Sequence, residues 1–511
     1  MNRMVPSWRL AALLIMSLSV CSPAIAGDDM DPEEPLGDVP VPLPSNINNF
    51  VKDHEAAIRL GKALFWDEQV GSDGRVACAT CHFQAGVDVR TVNTVNPGPN
   101  GVIDVTLPLD PSDFPFTHDD IVGSGGVIPA DFVSLVPDSS VEDCVTLVDP
   151  TDDSARQVTG RNAASTIGAI FYEEGFWDGR AKRRFNGIDG DGGRKRVWRL
   201  KNGELTLKKV GLSPASTASQ AVGPPLSDVE MTCAGRTFPV IGTKLIQNGL
   251  MPLALQEVSP TDSVLGAYAN PTGGLTISYS EMIDAAFKSK WASNKIVPDG
   301  SGRTQKEANF SLLWGIAILM YESTLVPDDT PFDRNELTPF ERDGLEVYND
   351  QGRCAPCHGG PESSVATISQ GGDSRAFTNT AVRPIAEDPG RGDGEFKSVT
   401  VRNIEFTGPY FHTGGYLTLR QVVDFYDRGG DFPNDETDSQ VRELNLTEYE
   451  KDALVAFMLA LTDERVEYSR APFDHPSLNP PNHAPIPAVG AAGVPEGQQL
   501  RPFLDIDHFQ P

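Results

Sequence analysis

The feature that most constrains this chain is a five-residue pattern, C-x-x-C-H, which occurs twice and far apart. C-x-x-C-H is the attachment signature of c-type haem. In that arrangement two thioether bonds hold the porphyrin, and the adjacent histidine ligates the iron. The sequence therefore predicts two covalently bound haem c groups, attached at Cys78, Cys81 and His82 and at Cys354, Cys357 and His358.

The N-terminus predicts export. Arg3 and Arg9 precede or flank a short apolar run, 10–20, and Ala24-Ile25-Ala26 resembles a cleavage site, so residues 1–26 are predicted to be a signal peptide. The apolar runs at 10–20 and 310–321 are both too short to span a bilayer. Cys21 follows a valine, which fits lipoprotein processing poorly. We predict a periplasmic protein without a membrane span.

Two other kinds of site use paired cysteines. A thioredoxin-like redox pair has no need of an adjacent histidine in both copies, and a zinc site needs four ligands. Of the three interpretations, haem attachment is the one that gives a role to both cysteines and to the histidine of each motif. Of the remaining cysteines, Cys144 and Cys233 are predicted to form a structural disulfide, because the compartment is oxidising. Two free thiols are the alternative.

Charge and composition exclude some functions and favour a folded protein. The chain has 42 basic and 71 acidic residues, a net charge of −29, so it lacks the basic surface that nucleic acids and anionic membranes require. We expect a mainly α fold: two cytochrome c-like haem domains with long irregular loops and a few short strands in insertions. The predicted segments are an acidic, Pro-rich, extended lead-in at 27–47, an N-terminal haem domain at 48–330, a C-terminal haem domain at 331–468, and a Pro-rich tail at 469–511.

Hydrophobic periodicity and capping residues predict the helices and strands within these segments. Apolar spacing predicts helices over 54–66, 306–324, 338–347, 419–426 and 447–461, with Thr338 as an N-cap. Residues 86–155 show little helical period and are interpreted as an irregular insertion. A second insertion, 182–215, shows strand-like alternation at 197–210.

Five stretches of this chain together resemble the bacterial di-haem cytochrome c peroxidase family, which includes the MauG-type enzymes. They occur in the family's order at 60–83, 161–181, 220–231, 337–360 and 396–430, and include the blocks FWDGRA and PYFHTGG. The resemblance implies an exported oxidoreductase that reacts with hydrogen peroxide through high-valent iron. Its electron donor would be a small cytochrome c or a cupredoxin. The alternatives are a MauG-like enzyme that oxidises Trp or Tyr side chains of a protein substrate, and a di-haem electron-transfer cytochrome without turnover.

The resemblance also assigns roles at the N-terminal haem, where peroxide reacts in the family. Glu230 matches the acid/base carboxylate, and Gln220 and Pro224 match neighbouring pocket positions; a solvated loop glutamate is the alternative. Compact peroxidases block this iron with a histidine. The context of His118 does not match that histidine, so we expect the iron to be open to peroxide.

Further matches concern the region between the haems. Trp177 matches the tryptophan between them, an electron relay or a core aromatic. A calcium ion is implied by the oxygen ligands that match its site in the family. His412 matches a family histidine to which we assign no chemical role. The calcium positions are Asn162, Thr407 and Pro409.

Tyr426 distinguishes branches of the family. It lies 14 residues after His412, where better-known peroxidases have a methionine ligand to the C-terminal haem and MauG-type enzymes have a tyrosine. Tyr426 is therefore predicted to ligate iron. A buried core tyrosine is the alternative, because Leu419, Val422 and Val423 share its helical face. A phenolate favours the ferric and higher oxidation states, whereas a thioether raises the potential.

Overall fold

The computed structural model describes residues 35–149, 152–247 and 249–511. The predicted signal peptide lies outside these ranges. The described chain is mainly helical with a few short strands, as predicted. Within the described ranges, no helix combines the length and the apolar character needed to cross a membrane.

Eleven α-helices occur in the described ranges. The helices of the N-terminal part are α1 His54–Trp66, α2 Ser216–Ala221, α3 Phe238–Gln247, α4 Tyr279–Ala286, α5 Gln305–Ala308 and α6 Phe310–Glu322. Those of the C-terminal part are α7 Pro339–Asn349, α8 Ala355–His358, α9 Leu419–Asp427, α10 Glu448–Leu459 and α11 Glu464–Glu467.

The packing of α1 on α6 organises the larger hydrophobic core. Every residue of α6 is buried, and α1 turns its apolar side, including Leu60 and Leu64, into the same core. The helices approach so closely at Gly61 that a Cβ there would lie 2.0 Å from the carbonyl oxygen of Ala317. A glycine is therefore required at this crossing. Asp53 caps α1 by accepting a hydrogen bond from the Ala56 N–H.

The predicted helix over 306–324 is interrupted at Asn309, where α5 ends and α6 begins. The interruption has a physical reason. The Asn309 side chain accepts a hydrogen bond from the backbone N–H of Trp198 (2.9 Å) and donates to the carbonyl oxygens of Trp198 and Trp291. These bonds tie the second insertion to the helical core at the point where α5 and α6 meet. The backbone hydrogen bonds from the Asn309 N–H to Gln305 and from the Leu313 N–H to Asn309 continue across this point, so the interruption is a local change of the backbone angles at Asn309 (φ −98°, ψ 13°).

The two predicted insertions contain most of the strands. Residues 196–209 form an antiparallel hairpin, as the alternation predicted. The first insertion contains two further antiparallel pairs, and Cys144 in its last strand is joined to Cys233 by a disulfide, which confirms the predicted pairing. The strands are β1 Val95–Asn96, β2 Ile121–Val122, β3 Ala130–Ser134, β4 Asp143–Thr146, β5 Arg196–Lys201, β6 Glu204–Lys209, β7 Phe377–Thr378 and β8 Phe396–Lys397.

A second hydrophobic core lies within residues 332–461, where α7, α9 and α10 pack together. Thr338 caps α7 as predicted, accepting from the Glu341 N–H. A third, smaller core joins the first insertion to the C-terminal part through Phe114, Phe116 and Val122 on one side and Leu417 and Phe503 on the other.

The segments at both ends pack more tightly than expected. The lead-in was expected to be extended, yet Leu36 is 1% exposed in the first core and its N–H donates to Asp333 at 3.0 Å. In the tail, Asp474 is fully buried 3.3 Å from Lys62 Nζ on α1, beside a second carboxylate, Asp262, at 2.9 Å. Proline content alone did not reveal these buried contacts.

The tail also covers the first C-x-x-C-H motif. The ring of His483 packs 5.2 Å from that of Phe83, which directly follows the motif. Gln84 donates to the carbonyl oxygen of Arg501 at 2.7 Å, and Arg90 donates to that of Pro481 at 3.3 Å. Residues 481–501 of the tail thus pack beside the N-terminal site, whereas Phe503 belongs to the third core.

Replacing Asp474→Asn should lower the free energy of unfolding by about 3 kcal/mol, because it removes half of the countercharge of a fully buried ammonium. The control is Asp505→Asn in the same tail, which removes an exposed carboxylate and should cost less than about 1 kcal/mol. Urea denaturation measures both. Equal losses for the two variants would contradict a structural role for the Lys62 cluster.

Candidate haem sites

The first C-x-x-C-H motif opens onto a cavity of about 860 Å³, including solvent at its mouth. The motif forms a short 3-10 helix, Cys78–Cys81, packed against α1. Cys78, Cys81 and His82 line the cavity together with Phe65 of α1. Neither cysteine is in a disulfide, so both thiols are free for thioether bonds.

His82 is oriented by a backbone hydrogen bond. Its Nδ1 lies 2.7 Å from the carbonyl oxygen of Gly86, so this nitrogen carries the proton and Nε2 keeps its lone pair. Burial lowers the pKa of the imidazole, which favours the neutral form that a metal requires. The geometry suits a histidine that ligates iron through Nε2.

The second motif repeats this arrangement around a larger cavity of about 1650 Å³, again including open solvent. His358 at the end of α8 has Nδ1 2.8 Å from the carbonyl oxygen of Val399, and burial lowers its pKa as well. Cys354 and Cys357 line the same cavity with unpaired thiols. In both places two free thiols and one oriented imidazole face a mostly apolar cavity, and this donor set fits covalent haem.

The residues matched to the peroxide pocket come together in the first cavity. Gln220, Pro224 and Glu230 all line it beside His82. The Gln220 side-chain oxygen accepts a hydrogen bond from the Phe176 N–H at 2.9 Å, which fixes the side chain and leaves its amide group as a donor. Burial raises the pKa of Glu230, and Ser227 and Arg180 oppose that rise.

Glu230 is held in place by the first insertion. The N–H of Val127 donates to the carbonyl oxygen of Val229 at 3.1 Å. The neighbouring Gly126 approaches so closely that a Cβ there would lie 2.0 Å from the same oxygen. The insertion is therefore part of the wall that positions Glu230, which sequence reasoning did not anticipate.

A second acid in the first cavity was also missed. Glu322, the last residue of α6, lines the cavity and is 6% exposed. Burial raises its pKa to about 8, so it is protonated at neutral pH. The sequence signal for Glu322 was a single acidic residue directly after the apolar stretch 310–321. We interpreted that stretch only as a buried helix.

Tyr426 and Trp177 both line the second cavity. Tyr426 of α9 shares it with His358, and burial raises the pKa of its phenol. The indole N–H of Trp177 donates to the carbonyl oxygen of Asn162 at 2.8 Å. Trp177 lines the second cavity, whereas the preceding residue, Phe176, lines the first. The backbone at 176–177 therefore forms part of the partition between the two.

Two side chains that the sequence did not single out line both cavities. Tyr172 is buried, and its phenol oxygen accepts from the Thr400 N–H at 2.7 Å. Lys397 Nζ lies 3.8 Å from the centroid of the Tyr172 ring. Burial lowers the pKa of Lys397 to about 7 although Asp178 and Glu174 oppose this. A polarisable ring and a partly charged amine therefore separate the two candidate haem positions.

The positions matched to calcium also meet at the second cavity. Asn162, Thr407 and Pro409 all line it. Asn162 Nδ2 donates to the carbonyl oxygen of Val122 at 3.1 Å, which leaves its side-chain oxygen as a ligand atom. His412 stacks on Phe396 at 3.5 Å, and its Nε2 is buried without a hydrogen-bond partner.

Comparison with known proteins agrees with this geometry. Residues 55–338, more than half of the chain, match the family model described as di-haem cytochrome c peroxidase. The chain belongs to the di-haem cytochrome c peroxidase family. The match includes His82 and Glu230 and ends before the second motif.

Individual relatives are similar over part of their length. The chain is 32% identical to cytochrome-c peroxidase IdrP2 of Denitromonas iodatirespirans over 28% of this chain and 47% of that protein. It is 30% identical to methylamine utilization protein MauG of Paracoccus denitrificans over 30% of this chain and 51% of MauG. It is 23% identical to cytochrome c peroxidase Ccp of Escherichia coli over 82% of this chain and 63% of Ccp. The chain thus spans about half the length of the first two relatives.

Proposed function

We propose that this protein reduces hydrogen peroxide to water with two electrons from a redox protein, in the periplasm, as a di-haem peroxidase. The observation that carries the proposal is the meeting of Glu230, Gln220 and Pro224 with His82 in one cavity. When bound there, haem supplies the redox chemistry that cleaves the O–O bond. The overall reaction consumes two electrons and two protons and releases two water molecules.

Glu230 is proposed as the proton-transfer group. Cleavage of the O–O bond requires a proton to move from the inner to the outer oxygen of peroxide, and a carboxylate beside the bound peroxide can take and return it. The fixed amide of Gln220 is available to donate a hydrogen bond within the same cavity. Burial raises the pKa of Glu230, and this favours the step in which the carboxylate takes the proton from peroxide.

Replacing Glu230→Gln should slow the reaction with peroxide by about 10²- to 10⁴-fold, because the amide cannot accept the proton. In the wild-type protein the rate should rise with pH through the raised pKa of Glu230, since the carboxylate is the active form. The variant should lose that dependence. Stopped-flow mixing of the ferric protein with peroxide measures both rates.

The matched comparison is Glu322→Gln, which changes the other buried acid of the same cavity. A large loss of rate in Glu322→Gln with a normal rate in Glu230→Gln would transfer the proton-transfer role to Glu322. Normal rates in both variants would remove any carboxylate from the mechanism.

At the C-terminal site we propose that the haem iron would be held by the Tyr426 phenol oxygen as well as by His358, since both line the second cavity. Replacing Tyr426→Met should change the optical spectrum and raise the reduction potential of this haem, because a thioether favours the ferrous state more than a phenolate does. Tyr426→Phe separates ligation from packing, since it keeps the ring and removes the oxygen. Tyr410→Phe, which removes another phenol from the same cavity, is the control. Unchanged spectra in both Tyr426 variants would refute ligation.

The presence of tyrosine at 426 also favours a second function, the MauG-like oxidation of Trp or Tyr side chains in a protein substrate. The electron donor decides between them. Rapid peroxide-dependent oxidation of reduced cytochrome c would support the peroxidase and count against the MauG-like enzyme. A protein inert toward peroxide would instead be an electron-transfer cytochrome. The net charge of −29 favours a basic redox partner through electrostatic steering.

We further propose that Asn162, Thr407 and Pro409 hold a calcium ion beside Trp177. Oxygen donors of this kind suit a hard cation that keeps some of its water. Because the Asn162 carbonyl also accepts the Trp177 indole N–H, the ion would help to fix the tryptophan. Calorimetric titration of chelator-treated protein with Ca²⁺ tests the site, and Asn162→Ala should weaken the binding.

A further inference from the structure

The first insertion brings together three potential metal ligands outside both cavities. Asp104, His118 and Asp120 each offer one ligand atom, and these atoms all lie within 4.8 Å of one another. Their chemistry is mixed, one imidazole nitrogen and two carboxylate oxygens. No part of the proposed peroxidase reaction uses them.

Asp120 is the buried anchor of this cluster. It is 2% exposed, and its Oδ2 accepts hydrogen bonds from the backbone N–H groups of Asp104 (2.8 Å) and Val105 (2.9 Å). Its other oxygen, Oδ1, is buried without any hydrogen-bond partner. Burying an unsatisfied carboxylate oxygen is unfavourable, and such an atom in a native protein requires an explanation.

His118 presents a second unsatisfied atom to the same place. Its Nδ1 lies 3.3 Å from Asp120 Oδ2 but makes no hydrogen bond with it, and it is buried without a partner. Contacts outside the cluster hold His118 in place. Its carbonyl oxygen accepts from Arg383 at 2.8 Å, and its ring packs 4.9 Å from that of Phe116. The imidazole is thus fixed toward the cluster by contacts outside it.

Asp104 completes the cluster from the solvent side. It is exposed, and its Oδ2 accepts from Asn100 Nδ2 at 3.0 Å, which orients the carboxylate and leaves Oδ1 free to bind. A buried imidazole nitrogen without a hydrogen bond, a buried carboxylate with one unsatisfied oxygen and an exposed carboxylate therefore meet within 4.8 Å of one another.

We propose that Asp104, His118 and Asp120 bind a divalent transition-metal ion of the zinc class. One imidazole with two carboxylates suits zinc, and three protein ligands leave a fourth position for water. Calcium and magnesium prefer all-oxygen sites with more ligands, so they fit less well. The ion would give the His118 nitrogen a partner, neutralise the buried Asp120 carboxylate and link residues 104 and 118–120 of the insertion to each other. The site is independent of the proposed peroxidase reaction.

The test uses the purified protein with both haems attached. Isothermal titration with Zn²⁺ should show one site, and the zinc-edge X-ray absorption spectrum should show imidazole together with oxygen ligands. His118→Gln and Asp104→Asn should each weaken zinc binding at least about tenfold, since even outer-shell changes cost that much. His483→Gln and Asp131→Asn, which remove an exposed imidazole and an exposed carboxylate elsewhere, are the matched controls and should bind zinc as the wild type does.

Haem absorbance and circular dichroism show whether each variant is folded, and Asp104→Asn keeps the test valid if His118→Gln unfolds, because Asp104 is exposed. The proposal is overturned if the wild-type protein binds no zinc, if folded Asp104→Asn binds zinc as tightly as the wild type, or if excess calcium removes the imidazole and oxygen signature from the zinc-edge spectrum. Peroxide turnover is not a readout, so failure here leaves the proposed function untouched.

Discussion

Two backbone hydrogen bonds orient the histidines of the C-x-x-C-H motifs, and the chemistry of both candidate haem sites depends on them. His82 and His358 each direct Nδ1 to a carbonyl oxygen, of Gly86 and Val399 respectively, and so present Nε2 to a cavity. Neither acceptor belongs to its motif. Each lies in a loop that the surrounding core must position first. The chemistry of a five-residue motif is therefore set by residues 4 and 41 positions away in the chain.

The two cavities are separated by a thin wall, and its composition is relevant to charge transfer. Phe176 faces one cavity and Trp177 the other, while Tyr172 and Lys397 reach both. An ammonium over an aromatic face disfavours removal of an electron from that ring. Because the pKa of Lys397 lies at about 7, the charge beside Tyr172 varies near neutral pH. The ring of Trp177 does not carry this cation, so the prediction of Trp177 as an electron relay is unaffected by the charge of Lys397.

Residue spacing predicted the local features well. The C-x-x-C-H motifs, the cap at Thr338, the hairpin at 196–209 and the Cys144–Cys233 pairing all depend on near neighbours or on a small number of choices. The family resemblance placed Glu230 in the first cavity.

Long-range packing was less accessible from sequence. Glu322, Lys397 and the metal-ligand cluster of the first insertion gain their environment from segments distant in the chain. The lead-in was misjudged for the same reason. Its prolines predicted an extended chain, but Leu36 and Ile47 dock in the core. Composition reports the average polarity of a segment, and burial is decided residue by residue.

The position of the tail has a consequence for the order of biogenesis. Residues 481, 483 and 501 contact the segment just after the first C-x-x-C-H motif, so these contacts join positions about 400 residues apart and form only after the intervening chain has been made. The apparatus that attaches haem to two cysteine thiols needs access to that segment. We expect haem attachment to precede the docking of residues 481–501, so that the tail packs beside a porphyrin that is already joined to the chain.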